Sequence, residues 1–310
     1  MLSEIRNGKV IFNIGAAVIV VLLAVSSIAL ADTEKAKTLF NAGVTHEKEG
    51  SDSLAATEYE QAIKEDPNYL DAYMNLGSIN FKKNKHAEAE GLFKKATEIA
   101  PDNLDAWTNL GKVYFVEKKN LESEQAFKKV LSIKNDYNPV YIELGRLYHT
   151  QENWPALVDL MTGFTARVMD DYQAYFYLGT GLQGMKKYPE AVAALKKSVE
   201  LNANQYTPYY NLGQIYLNQE KYKEAYPMFE KAVQLKPDSY KAFYNLAVSY
   251  ETVYQEDHSK IDQVISYWSK FLKVAKNNPR ASSLVAGAEQ HLKDLQDLKK
   301  TYDAEKTGGN

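Results

Sequence analysis

The stretch Ala72-Tyr73-Met74-Asn75-Leu76-Gly77 decides the fold, because its ending returns along the chain. The Leu-Gly pair recurs at Leu110-Gly111, Leu144-Gly145, Leu178-Gly179 and Leu212-Gly213, each step being 34 residues. Ala42-Gly43 extends the series one step back and Leu246-Ala247 one step forward, giving seven units in one register from Ala36 onward. Three residues before each pair stands a large side chain: Leu39, Tyr73, Trp107, Tyr141, Tyr175, Tyr209 and Phe243. Three after the glycine position, Tyr114, Tyr148, Tyr216 and Tyr250 recur. A second half of the unit reads Ala55, Tyr59, Ala62, Pro67, then Ala89, Phe93, Ala96, Pro101, then Ala225, Phe229, Ala232, Pro237. Spacings of three, four and seven mark one face of a helix. The proline five residues after the last alanine ends that helix.

These residues resemble the tetratricopeptide repeat, whose pattern is W-x2-L-G-x2-Y, then A-x3-F-x2-A, then P. The match runs from Ala36 to about Lys276. The resemblance implies an all-α fold: an α-α superhelix of about seven helix-turn-helix repeats plus a C-terminal capping helix. The physics agrees with it. A small residue at the glycine position lets the first helix of a unit (A) approach the second (B), and large residues fill the gaps. One unit cannot bury its own apolar face, so units stack. A length of 310 residues alone suggests about two domains; the strict period instead predicts one array with a continuous core. The array is placed at residues 32–278, a capping helix at 279–306 and a disordered tail at 307–310.

Departures from the pattern begin in the middle of the array, where repeats 4 and 5 are degenerate in helix B. Leu157 and Met161 replace the small and aromatic residues of helix B in repeat 4. Pro155 and Pro189 sit where the first turn of a helix tolerates proline. Pro227 lies deeper, and either kinks its helix or sits in a late-starting first turn. Val264 and Trp268 take the small and aromatic positions of repeat 7, which implies an insertion near 252–260. In the cap, Val285, Ala288, Leu292, Leu295 and Tyr302 share one face; a coiled-coil dimer segment is the alternative there.

The start of the chain reads as an address. Arg6 and Lys9 precede an apolar run from Ile14 to Val25, and Ala29 and Ala31 stand at the −3 and −1 positions of a cleavage site. Residues 1–31 are therefore expected to form a secretory signal peptide. The alternative is an uncleaved membrane anchor, since Val10 to Ala31 is long enough to span a bilayer. Both place the array outside the cytoplasm, periplasmic or secreted, with the membrane met only through this segment. The chain has no cysteine, so disulfides, thiolate metal sites and a lipid anchor after the apolar run are excluded. Net charge is −3, so no nucleic-acid-binding field is expected. Tyrosine is unusually abundant, with 23 against 11 phenylalanines and 3 tryptophans.

No constellation asks for catalysis, a cofactor or a metal. Gly179-Thr180-Gly181-Leu182-Gln183-Gly184 fits G-x-G-x-x-G, but a dinucleotide site needs a strand and a tight turn. Here Gly179 is the repeat glycine, so the run is predicted inside a helix that its extra glycines soften. His46, His86, His149, His258 and His291 lack metal-ligand spacing and are expected at the surface. An enzyme would need a convergent acid, base or metal set in the folded groove.

Binding is expected on the A helices. The resemblance implies that these line a concave side where partner peptides dock, at repeat positions 2, 5, 6, 9, 12 and 13. Position 5 reads Phe40, Met74, Thr108, Ile142, Phe176, Tyr210 and Tyr244. If neighbouring helices leave these exposed, they form an apolar strip of the kind that marks interaction sites. Position 6 reads Asn41, Asn75, Asn109, Glu143, Tyr177, Asn211 and Asn245. Asparagine amides can donate to and accept from a peptide backbone. Lys112 and Arg146 at position 9 form a small basic cluster, beside Phe81, Phe115 and His149 at position 12, which suits an acidic partner segment. The lysine at position 5 that marks the chaperone-tail clamp of the family is missing. The expected function is a non-catalytic scaffold or adaptor of a bacterial-type cell envelope. Self-assembly into oligomers or filaments is the alternative.

Overall fold

The helices begin and end where the sequence supplies local reasons. Asn103, Asp171 and Ser239 precede A helices, and each side chain accepts a first-turn amide proton. Pro67, Pro101 and Pro237 follow one residue beyond the C-caps of B helices, where no amide proton is needed. Every regular A-to-B turn places one residue in the left-handed region: Asn84, Lys118, Glu152, Lys186 and Glu220, with φ between 54° and 60°.

The computed structural model describes residues 33–308, and the signal-peptide or anchor segment, residues 1–31, lies outside them. The described chain is helical throughout. The helices are α1 (33–48), α2 (Asp52–Glu65), α3 (Leu70–Lys82), α4 (His86–Ile99), α5 (Leu104–Val116), α6 (Asn120–Ile133), α7 (Asn138–Thr150), α8 (Trp154–Arg167), α9 (Tyr172–Gly184), α10 (Tyr188–Leu201), α11 (Tyr206–Asn218), α12 (Tyr222–Leu235), α13 (Tyr240–Tyr254), α14 (Ile261–Ala275) and α15 (Ser282–Gly308). Odd numbers up to α13 are A helices and even numbers are B helices. The all-α, stacked helix-turn-helix architecture matches the expectation from the period. The chain divides into two compact units at Leu147/Tyr148, a point inside α7.

The repeat glycine explains how A meets B. A Cβ built on Gly77 would lie 2.8 Å from the ring of Phe93, and one on Gly111 2.5 Å from the ring of Phe127. Gly43 faces Tyr59, Gly179 faces Leu195 and Gly213 faces Phe229 in the same way. The small residue of helix A is thus the socket for the large residue of helix B. In the first unit the cores are built from Ala55, Tyr59, Ala62, Leu76 and Ile79, then from Phe93, Leu110, Val113 and Ala126. In the second unit Leu182, Leu195, Leu212 and Ile215 form one core, and Phe229, Leu246, Trp268 and Phe271 another.

The late departures have defined shapes. Pro227 is the sixth residue of α12, which starts at Tyr222, so it sits within the helix and not in a late first turn. In repeat 7, α13 runs to Tyr254 and a 3-10 turn, His258–Lys260, precedes α14; Val264 and Trp268 are both buried. α15 lays Ala288 and Leu295 on the last core, with Leu284, Val285 and Leu292 beside them. The Glu251 carboxylate accepts the Trp268 indole proton at 2.7 Å and meets His291 Nε2 at 2.9 Å, tying α13, α14 and α15 together. α15 continues to Gly308, so helix extends past residue 306 into the expected tail.

Candidate functional site

Positions 5 and 6 of the A helices do two jobs at once. In the first unit, Phe40 packs at 5.5 Å from Tyr59 and 5.3 Å from Tyr69, ring centre to ring centre. Met74 lies against the Phe93 core, Ile142 is half-buried, and Thr108 is buried with its hydroxyl donating to the Leu104 carbonyl. In the second unit Tyr210 stacks on Tyr206 at 5.6 Å and meets Phe229 edge-on at 5.8 Å. Tyr244 meets Trp268 at 5.6 Å and Phe271 at 5.4 Å. Apart from the buried Thr108, the position-5 side chains are therefore wedges between helices that keep part of their surface in solvent. None is a wholly exposed strip residue.

The asparagines are also partly engaged. Asn75 donates to the Tyr59 hydroxyl at 3.1 Å, and that hydroxyl donates to Glu47 at 2.9 Å. Asn211 reaches Thr180 at 3.4 Å and Asn245 reaches the Tyr210 hydroxyl at 3.5 Å. Each of these amides braces one repeat on the one before it. Asn109 is half-buried on α5 and Asn41 is exposed on α1.

The basic cluster is not an open cationic site. Glu143, the residue that breaks the asparagine row, lies 3.5 Å from Lys112 and also accepts a hydrogen bond from Arg146. The Arg146 guanidinium stands 4.8 Å from the Phe115 ring centre. One carboxylate thus contacts both cations. The sequence shows Glu143 as a gap in a row; its role as counter-ion follows once position 6 of α7 is set beside position 9 of α5.

A second cluster forms on the second unit. His149 lies 5.8 Å from Trp154, 6.2 Å from Phe176 and 5.7 Å from Tyr177, and Phe176 and Tyr177 are 5.2 Å apart. Burial holds the His149 imidazole below the usual histidine pKa, so the neutral ring is favoured. Beside Phe176 and Tyr177 opens a cavity of about 130 Å³, whose other walls include Gln173, Gln205, Thr207 and Pro208. Gln173 and Thr207 stand at repeat position 2, which the resemblance already marks as groove-lining. Gln205 and Pro208 carry no such signal.

The glycine-rich run is helical, lying inside α9, and its glycines are contact points. Cβ atoms on Gly181 and Gly184 would lie 2.9 Å from Val158 and 2.5 Å from the Trp154 ring. Four of the five histidines, all but His258, are half-buried and not plain surface residues, because neighbouring rings or carboxylates cover them. Among the described residues no group of three or more histidines and carboxylates could hold a metal ion.

Three stretches match family models described as tetratricopeptide repeat: residues 40–103, 104–137 and 207–239. No curated protein matches the chain. Among solved structures, the C-terminal part of a TPR repeat-containing protein from Cytophaga hutchinsonii is similar, with 17% identity and a TM-score of 0.62 over 79% of this chain and 98% of that one. A tetratricopeptide repeat protein from Parabacteroides merdae shares 14% identity at a TM-score of 0.60, over 83% of this chain and 99% of that one. YrrB, described as a TPR protein with an unusual peptide-binding site, shares 22% identity at a TM-score of 0.51, over 60% of this chain and 96% of that one. Such likeness carries the fold.

Proposed function

We propose that this tetratricopeptide-repeat protein is a non-catalytic scaffold that holds segments of partner proteins against the A-helix faces of its units. One observation carries the reading. At positions 5 and 6, aromatic and apolar wedges alternate with amides, and most of both keep part of their surface in solvent. Such a face offers apolar contact and backbone hydrogen bonds together, which is what an extended segment needs. The peptide-binding site named for YrrB is in keeping with this reading. Lys112 and Arg146 bring two basic side chains to this face, which favours acidic segments where they compete with Glu143, an attraction that salt reduces. The working place of the scaffold is the cell envelope: the basic start, the apolar run and the small residues Ala29 and Ala31 would carry the array out of the cytoplasm, whether cleaved or kept as an anchor.

Site-specific photo-crosslinking in cells tests both parts. A crosslinker at Asn109 or Thr207 should capture discrete partners, and one at Glu122, on helix B, should not. Equal capture from Glu122 would remove the A-helix face as the binding surface. Recovery of the chain in the cytosol with its first residue intact would remove the envelope assignment. Alanine at Phe176 or at Tyr210 loses stability as well as surface, because Phe176 packs on the Leu182, Leu195 and Leu212 core and Tyr210 on Phe229, so capture by either variant is read beside its helicity.

A further inference from the structure

One departure of the second unit from the repeat pattern coincides with a cluster of aromatic residues. Position 6 carries Tyr177 where five repeats carry asparagine, and His149 and Phe176 meet it. Trp154 backs this cluster and is itself seated on Gly184, where any side chain would strike its ring. The glycine-rich run of α9 is therefore part of how the aromatic wall is built.

Three constraints select what the adjoining cavity takes. The first is size. Pockets that hold whole small molecules run to about 300–1,000 Å³, so a cavity of about 130 Å³ takes a single side chain. The second is charge. The lining residues are of types that are uncharged at neutral pH, and burial favours the neutral His149 beside them. A charged side chain would lose part of its water here and meet no opposite charge among the lining residues. The third is hydrogen bonding. Gln173 and Gln205 bring amide donors to the cavity, which suits a segment whose carbonyls are all unpaired. A polyproline II segment has such a backbone, a compact apolar ring and little conformational freedom to lose, and it docks on aromatic-lined grooves.

We infer that this cavity accepts a proline side chain of a partner segment in the polyproline II conformation. Phe176 and Tyr177 form the aromatic wall, and Gln173 and Gln205 donate to the flanking carbonyls. The inference rests on the A-helix face being the partner-binding face, and adds the chemical class of partner that the second unit takes.

Fluorescence anisotropy with the full chain tests it. The probes are a labelled proline-rich peptide, the same peptide with alanine for proline, and an acidic peptide of equal length. The proline peptide should bind about tenfold more tightly than its alanine counterpart, with little dependence on salt. Tyr177→Asn restores the regular repeat residue and should erase that preference with helicity unchanged; Phe176→Ala should weaken binding likewise. Equal affinity for the proline and alanine peptides, no binding of the proline peptide, or a preference that survives Tyr177→Asn overturns the inference. If crosslinking from Asn109 and Thr207 still captures partners in that event, the scaffold reading stands and only the proline class falls.

Discussion

At Gly111 the packing of a whole repeat depends on a missing methyl group. The ring of Phe127 is fully buried, and a Cβ on Gly111 would lie 2.5 Å and 2.7 Å from two of its carbons. Gly111→Ala must push that ring or spread α5 from α6. Overpacking of this kind costs about 1–3 kcal/mol, against a gain of about 1 kcal/mol in helix propensity. Gly91, on the exposed side of α4, is the matched control, since an added Cβ there meets nothing within 4 Å. Urea unfolding should show Gly111→Ala at a lower midpoint than wild type and Gly91→Ala at a higher one. Two variants shifted equally in the same direction would show that propensity, and not the socket, governs both sites. The socket glycine is legible in the sequence because it recurs every 34 residues. Gly181 and Gly184 are not, because their partners Val158 and Trp154 sit on α8, at positions the repeat phase does not connect to them.

Between elements, a carboxylate does what apolar wedges do inside them. Glu90 on α4 receives Lys94 from its own helix and Lys119 from the turn before α6, both at 2.5 Å. Burial alone would raise its pKa, but the two ammonium hydrogen bonds outweigh that and bring it down to about 2. A lowered folded-state pKa means the unfolded chain takes up its proton first. The stabilisation is therefore fully present above the ordinary carboxylate range near 4.5 and is lost as pH falls toward 2. Urea midpoints measured across that window should fall for the wild type, and Glu90→Gln should start lower and fall less. A wild-type slope matched by the variant would place the acid sensitivity in other carboxylates. Elements and their order were legible in the sequence, since caps, prolines and helical spacing are local signals. The pairing of Glu143 with Lys112 was less so, because it joins residues 31 positions apart on two helices, and Glu143 read alone is only an interruption of the asparagine row.

Across the whole molecule, the abundance of tyrosine becomes a statement about pH. A phenol fills a wedge between helices and still ends in a hydrogen bond, which phenylalanine cannot do. In the first unit Tyr59 donates to Glu47 and Tyr137 to Asp105; in the second Tyr267 donates to Glu230, and Tyr226 and Tyr254 share a hydrogen bond. Burial, with the Glu47 carboxylate adding to it, lifts Tyr59 to about 12. The Asp105 hydrogen bond, then burial, lifts Tyr137 to about 12, and the Tyr254 hydrogen bond, then burial, lifts Tyr226 to about 12. Tyr69, Tyr206, Tyr210, Tyr250 and Tyr267 move in the same direction. A folded-state pKa above the unfolded value near 10 gives stability that is complete below about 10 and is lost as pH rises through about 12. Phenolate absorbance should therefore rise later in the folded protein than in urea, and helicity should fail within that interval in step with it. Tyr137→Phe, which removes one late-titrating phenol and its carboxylate acceptor's partner, should lower stability at neutral pH and flatten its alkaline decline. Coincident phenolate titrations in the folded and urea-unfolded chains would mean that the phenols are solvated and that tyrosine was not chosen for its buried hydroxyl.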